Sequence, residues 1–328
     1  MTQRIPSPAR RRLLRGAAAL CCIPALRAET YPSRPLRLVL PNAPGSAVDT
    51  LARQLMRIMA PDLGQPVVIE NVPGSGGLLG MQQLLRNPRD GYTFGMVASN
   101  FAIAPNLYKL PYDSAKDIDP ICVLVNGAMV LAVNSAVPAT NLKELIALAK
   151  SRPPNRALTY ASAGVGTLGH LAAELLAVSA GMRMLHVPYK GQNGFTTDLV
   201  SGVVECGFAT PAVFAPFFAS GKLRAIAVST QQRSASLPNV PTLAESGLPD
   251  FNLGGWQMLI AAHGTPRARI ERLNAAARAA LRSPEMLKEA AEGGHQIVAS
   301  TVPEATAWSK RELDQFARLS QKIGIKPE

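Results

Sequence analysis

The chain has 328 residues, with 34 Lys and Arg against 22 Asp and Glu and a formal net charge of +12. Six of those cations, Arg4, Arg10, Arg11, Arg12, Arg15 and Arg27, precede the first acidic residue, Glu29, so the rest of the chain carries only +6, spread thinly. Aromatic residues make up 5% and no basic run is interleaved with them, which argues against a nucleic-acid surface and for a basic fold that attracts small acids.

The basic start followed by the apolar stretch from Gly16 to Leu26, with a small residue at Ala25 or Ala28, predicts an export signal over residues 1–28, too short to span a bilayer. The run Arg10-Arg11-Arg12-Leu13-Leu14 also allows the twin-arginine route. The expected product is a soluble exported protein with no membrane insertion once the signal is removed. Cys21 and Cys22 leave with the signal, and Cys122 and Cys206, each in an apolar run and in an oxidising compartment, are expected as two buried thiols, the alternative being a disulfide that would tie together segments of different domains. Neither the cysteines nor the histidines have metal-ligand spacing, so no metal site and no cofactor are predicted.

Roughly 300 remaining residues exceed one ordinary core and predict two domains. Short apolar runs bounded by Pro, Gly or Asn read as strands: Leu36–Leu40, Val67–Glu70, Phe94–Val97, Val130–Val133, Leu158–Ala161, Leu185–Val187, Cys206–Ala209 and Ala225–Val228. Helical periodicity lies between most of them, as in Asp49–Leu63, Leu142–Lys150 and Leu168–Ala180, and the alternation predicts parallel sheets covered by helices. Asn141 with Glu144 and Thr301 with Glu304 have capping-box spacing, while Thr265-Pro266 and Ser283-Pro284 set Pro just inside a cap. Beyond Ala261 the pattern reads as helical throughout (Pro266–Arg282, Pro284–Glu292, Pro303–Ile323), a tail expected to wrap back on the first domain.

Three strand-to-helix turns carry the chemistry: Pro41–Asp49, Asn71–Gly80 and Ala161–His170. Each combines glycine, which lets an anion approach closely, with a helix start, where unpaired N–H groups and the positive end of the dipole converge. Gly164–Gly169 matches G-x-G-x-x-G, but a nicotinamide-dependent oxidoreductase needs an acidic residue after the next strand, where His186-Val187-Pro188-Tyr189-Lys190 stands. Ser162 lacks the glycine two residues earlier that a nucleophile elbow requires, since Tyr160 is there, so no hydrolase is predicted. A smaller anion suits the same loop, with the amides of Gly164–Thr167 and the hydroxyls of Ser162 and Thr167 reaching one carboxylate. His170 reads as a capping or packing residue.

An ordered set of motifs runs from Tyr31 to Glu328: Tyr31-Pro32-Ser33-Arg34-Pro35, Pro44-Gly45 with Asp49, Gly64-Gln65-Pro66 through Asn71, Pro73-Gly74-Ser75-Gly76-Gly77, and Asp90-Gly91-Tyr92-Thr93. It continues with Leu110-Pro111-Tyr112-Asp113, Tyr160 through Gly164, Gly166-Thr167 with His170-Leu171, His186 through Gly191, Val240-Pro241-Thr242 and Gly324 through Glu328. In this order the chain resembles the Bug-type extracytoplasmic solute-binding receptors of tripartite tricarboxylate transporters. The resemblance implies an α/β, two-domain fold of the periplasmic-binding-protein type II kind, each domain a mostly parallel sheet flanked by helices, with the ligand in the cleft between them. It implies a monomeric, non-enzymatic receptor that delivers a small carboxylate to a membrane permease by opening and closing about a hinge.

By motif position, the second-domain contacts fall on Ser162, Gly164, Val165, Gly166 and Thr167, and the first-domain contacts on Pro44, Gly45, Ser46, Ala47 and Asp49, with Asp49 expected to position the helix start. Tyr189, Ser99 and Trp256 are further candidates. The sequence departs from the family pattern at Asn42, where an aromatic is usual, at Ser46, where a second glycine is usual, and at Ala209, where an aspartate is usual. Loss of that aspartate removes a partner for a ligand ammonium group, so the expected solute is a carboxylic acid without an amino group. Domain one is expected to combine residues 31–128 with 254–328, and domain two to be residues 129–253, with hinge crossings near Met129 and Leu253. A binding module serving a signalling system is the alternative of another class.

Overall fold

Leucine or valine at every position of Leu36–Leu40 except Arg37 suits a strand with neighbours on both sides. The computed structural model, which describes residues 30–324, sets this strand, β1, between β2 (Val67–Asn71) and β3 (Thr93–Ala98), parallel to both. The expected export signal with Cys21 and Cys22, and residues 325–328 of the C-terminal motif, lie outside the described residues.

Two sheets form the two lobes. The first runs in the order β11-β4-β10-β3-β1-β2, adding β4 (Ile118–Ala128), β10 (Gly254–Ala262) and β11 (His295–Ile297). The second runs β7-β6-β8-β5-β9, from β5 (Val130–Asn134), β6 (Leu158–Ser162), β7 (Met184–Pro188), β8 (Cys206–Ala209) and β9 (Leu223–Val228). Both sheets are mixed. Pairing is parallel around β1 and β6, as the βαβ alternation predicts, but β10 runs antiparallel to β3 and β4, and β5 antiparallel to β8 and β9. The cause is the route of the chain: β4 delivers it directly into β5 of the other sheet, and β10 brings it back beside β4, so the two crossing strands run in opposite senses.

Three strands escape the periodic pattern for local reasons. β4 carries Pro120, tolerated where the ladder with β10 shifts register between Leu259 and Ile260. β10 opens on Gly254 and Gly255 and carries Gln257, and β11, only 3 residues long, interrupts the tail that reads as purely helical.

The helices cover these sheets. In the first lobe they are α1 (Ala47–Leu63), α2 (Leu78–Arg86), the short α3 (Asn100–Ile103), α8 (Arg267–Leu281), α9 (Pro284–Glu292) and α10 (Val302–Ile323). In the second they are α4 (Leu142–Ser151), α5 (Leu168–Ala180), α6 (Gln192–Ser201) and α7 (Pro211–Ala219). Ser283 caps α9 and the Thr301–Glu304 capping box starts α10, whereas the Thr265 hydroxyl bonds back to the Ala262 carbonyl and α8 begins without a side-chain cap. The last helix packs on β4 and also reaches α5 of the other lobe. Trp256, fully buried on β10, donates its indole N–H to Glu312 of α10 at 2.6 Å and fixes that helix in place. Burial raises the Glu312 carboxyl above its usual range. Among the described residues no helix is long and apolar enough to cross a membrane.

Cys122 on β4 and Cys206 on β8 are free, buried thiols in different sheets. Burial pushes Cys122 up to about 12 and Cys206 in the same direction, so both behave as small apolar side chains.

A buried serine ties the two chain crossings together. Ser229 Oγ accepts the Met129 N–H at 3.0 Å and donates to the Leu253 carbonyl at 2.5 Å, while its own backbone N–H bonds to Met129 and its carbonyl accepts from Leu253. One residue therefore joins the outgoing and returning strands.

Close backbone approach also dictates glycine at position 80, on α2, where a Cβ would lie 2.8 Å from the Pro41 Cα. Helix propensity favours alanine over glycine by about 0.5–1 kcal/mol, but overpacking costs about 1–3 kcal/mol. Gly80→Ala is therefore expected to lower the urea midpoint; a rise would show that the Pro41 loop yields freely.

Candidate functional site

The first glycine turn is shaped by Asp49. Its carboxylate, 3% exposed, accepts the Gly45 N–H at 2.9 Å, Arg53 Nε at 2.9 Å and Asn71 Nδ2 at 2.9 Å. Asn71 Nδ2 also reaches the Asn42 carbonyl, and Arg53 bonds to Asn71 Oδ1, so the turn, α1 and the end of β2 are fastened through one carboxylate. Burial pushes the Asp49 pKa up, but the hydrogen bonds from Arg53, Gly45 and Asn71 outweigh it and hold the group at about 2. Ser46 caps α1 by accepting the Asp49 N–H, and Gly45 takes φ +76°, a value that glycine adopts without strain. By helix geometry the first-turn N–H groups of Ala47 and Val48 have no intrahelical acceptor. Pro44 and Gly45 are exposed and Ser46 partly so.

The second turn lies against the first. Gly76 and Gly77 both have positive φ, Asn100 Nδ2 donates to the Gly76 carbonyl, and a Cβ on Gly77 would lie 3.4 Å from the Pro41 ring. Pro41, Asn42, Gly76, Gly77, Asn100 and Tyr112 line a small recess where the two turns meet.

The third turn, in the other lobe, sorts its amides. Ser162 is fully buried; its Oγ accepts the Gly164 N–H at 3.2 Å, lies 3.1 Å from the Gly164 carbonyl and sits 2.7 Å from His186 Nε2. The Gly166 N–H donates to His170 Nδ1 at 3.3 Å, and the Thr167 hydroxyl donates to the Gly164 carbonyl at 2.7 Å. Both hydroxyls expected to reach a ligand thus build the loop itself. Among the described residues the N–H groups of Val165, Leu168 and Gly169 meet no acceptor, and the Val165 side chain is exposed. These are the groups with which the start of α5 can meet an anion.

The turns from the two lobes approach one another. A Cβ on Gly76 would contact the Tyr108 ring, and a Cβ on Gly166 would lie 2.3 Å from Leu107 Cδ1, so two consecutive residues of the first lobe bridge the second turn to the third. Elsewhere between the lobes Gly294 packs against Pro211, and Gly255 against Leu168.

The remaining candidates have structural partners. Ser99 Oγ accepts the Trp256 N–H at 2.9 Å and faces the Gly254 carbonyl at 3.4 Å, so it and the buried Trp256 stiffen the start of β10. The Tyr189 hydroxyl donates to Asp198 at 2.6 Å, and its backbone N–H bonds to Ser162, bracing the third turn from behind. Burial and the neighbouring Asp198 carboxylate raise the Tyr189 hydroxyl to about 12. Ala209 is fully buried at the end of β8 and offers no charge.

One cluster has no signal in residue spacing. His170 and His186 stack with centroids 4.3 Å apart, and Tyr160 stacks on His186 at 4.7 Å and lies 6.4 Å from His170, its hydroxyl bonded to Glu174. Burial lowers both histidines, His186 to about 4, so both rings are neutral near neutral pH. The rings meet because β6 and β7 pair in parallel, bringing Tyr160 opposite His186, with α5 laid across them.

The sequence of residues 51–325 matches the model of the Tripartite tricarboxylate transporter family receptor. The protein BugT of Bordetella pertussis (strain Tohama I) is 32% identical over 302 residues, 91% of this chain and 92% of that protein. Among solved structures, R. palustris Rpa4515 with adipate superposes with a TM-score of 0.80 at 29% identity, covering 91% of this chain and 100% of that one. MatC from Rhodopseudomonas palustris with bound malate superposes with a TM-score of 0.74 at 29% identity, covering 89% and 100%.

The Asp49 assembly has a pH signature. A shift from 3.8 to about 2 corresponds to roughly 2 kcal/mol, nearer about 1 once water's screening of the half-exposed Arg53 is allowed for. Because the folded-state pKa is depressed, this stabilisation is complete above pH 3.8 and is lost as pH falls through about 2. Asp49→Asn should therefore cost about 1–2 kcal/mol in urea denaturation near neutral pH. The gap to wild type should narrow on acidification; a gap independent of pH would contradict the assignment.

Proposed function

The chain belongs to the tripartite tricarboxylate transporter family of receptors, and we propose that it captures a small carboxylic acid without an amino group between its two lobes and presents it to a membrane permease. The observation that supports this reading is that each lobe carries a glycine-lined helix start, α1 in one and α5 in the other, whose loop is closed by internal acceptors, with Leu107 of the first lobe lying against Gly166 of the second, while the amides of Val165, Leu168 and Gly169 meet no acceptor among the described residues. The two similar structures with adipate and with bound malate support the ligand class.

Magnitudes explain why both lobes take part. A carboxylate at a helix start gains about 0.3–1 kcal/mol, up to ~2 when partly buried, and each charge-assisted hydrogen bond contributes about 1.5–3 kcal/mol. Micromolar affinity needs roughly 8 kcal/mol after ordering costs, which one loop does not supply. In this reading the carboxylate sits on the loop of Ser162, Gly164, Val165, Gly166 and Thr167, the hydroxyls of Ser162 and Thr167 shaping the loop. The turn Pro44–Ala47 meets the other end of the acid, and Asp49 holds that turn.

Residues 31–128 with 254–328 form one moving body and 129–253 the other, hinged near Met129 and Leu253, where Ser229 ties the crossings. The protein acts as a non-enzymatic monomer in the periplasm, exported by its N-terminal signal.

Ala209 leaves a neutral, buried surface where a carboxylate would be needed to neutralise an ammonium group. Titration calorimetry with succinate and aspartate should therefore show at least about a tenfold preference for succinate, the scale of one lost charge-assisted bond. Tighter binding of aspartate would refute the proposed ligand class.

A further inference from the structure

We propose that His170 is a positioning residue of the carboxylate loop, its Nδ1 lone pair holding the Gly166 N–H so that the loop keeps the shape in which the Val165, Leu168 and Gly169 amides stay open to a ligand. The inference rests on the carboxylate reading of this loop.

Gly166 has φ +76° and an N–H that, left unpaired in its buried position, would compete for the ligand or turn the peptide plane. His170 reaches it from one turn into α5 at 3.3 Å. An acceptor at Nδ1 requires the neutral ring with its proton on Nε2. The ring cannot swing away, because it stacks on His186, which stacks on Tyr160, whose hydroxyl is bonded to Glu174, one turn beyond His170 on the same helix. His186 does the matching task at the other end of the loop through Ser162, which holds the Gly164 N–H. Two adjacent imidazoles thus secure two glycine amides.

Protonation would break the device, since Nδ1–H would then point at N–H. The groups around His170 are His186 of β7, Tyr160 of β6 and Glu174 of its own helix, with the Cys206 thiol of β8 paired opposite Tyr160. The α10 cation Lys322 contacts Ser179 at the opposite end of α5. Burial keeps the Cys206 thiol neutral and favours neutral His170. Acid should therefore weaken the loop by titrating the ring.

The test compares wild type with His170→Asn, whose Oδ1 can accept from Gly166 but does not titrate, and His170→Leu, which keeps bulk without an acceptor. Hydrogen exchange of the Gly166 amide is read in ligand-free protein, and affinity for succinate, malate and adipate by calorimetry from about pH 7.5 to about pH 4.5. His170→Leu should lose Gly166 protection and bind up to about tenfold more weakly, on the scale of one neutral hydrogen bond. His170→Asn should bind within about threefold of wild type at the upper pH and lose less affinity than wild type on acidification. Retained protection and affinity in His170→Leu, or identical pH curves for wild type and His170→Asn, would overturn the proposal. If wild type binds none of the three acids while Gly166 stays protected through His170, the carboxylate reading falls and the hydrogen bond itself stands.

Discussion

A loop that is to receive an anion on its backbone must first decide which of its own N–H groups are spent on itself. Here that sorting is done by three buried acceptors. Asp49 takes the amide of Gly45, Ser162 that of Gly164 and His170 that of Gly166. Each acceptor closes a turn whose glycine has a positive φ, and each leaves the following helix start with N–H groups that the helix cannot satisfy. In the proposed reading, the rest of the architecture brings such helix starts from two lobes toward one space. Glycine supplies the conformational freedom and the buried side chains remove the excess of it.

The acceptors differ in charge, and the difference has physical consequences. Asp49 is an anion surrounded by donors, including the Arg53 guanidinium, so its lobe's turn is stable wherever a carboxylate is ionised. The second lobe uses neutral acceptors, a hydroxyl and an imidazole, which avoids placing a negative charge beside the proposed anion site. A carboxylate at position 170 could accept the same bond but would repel the proposed guest. Stacked, buried imidazoles provide acceptors without charge, at the cost of sensitivity to acid.

Much of this was legible in residue order. The strand–glycine–helix units, the caps at Ser283 and Thr301, the strands around β1 and β6 and the family resemblance all depend on residues close together in the chain. The sheets proved more antiparallel than the alternation suggested because the chain crosses between them on β4 and returns on β10, and β4, β10 and β11 escape the periodic pattern because they carry Pro120, Gly254-Gly255 and His295 in place of clean apolar runs. Ser162 and Thr167 read as ligand hydroxyls because their type and spacing suit that role; in the fold both hydroxyls also bond to the Gly164 carbonyl of their own loop, a contact their spacing does not announce. Ser99 and Trp256 likewise stand at the right place in the chain; in the fold the Ser99 hydroxyl accepts the Trp256 backbone N–H, and the Trp256 indole bonds to the last helix. The contact of Leu107 with Gly166 and the clip made by Ser229 join residues far apart and leave no mark in any local motif.

By itself, then, the order of amino acids determined the α/β class, the three glycine turns and their helix starts, since glycine's access to positive φ, N-capping and apolar periodicity act over a few residues. Only the tertiary structure decided which amides in those turns are already committed, which lobe faces which, and that Tyr160, His186 and His170 form one stack. Hydrogen-bond satisfaction in a buried loop is settled by whatever side chain the fold brings within about 3 Å, and that neighbour can come from anywhere in the chain.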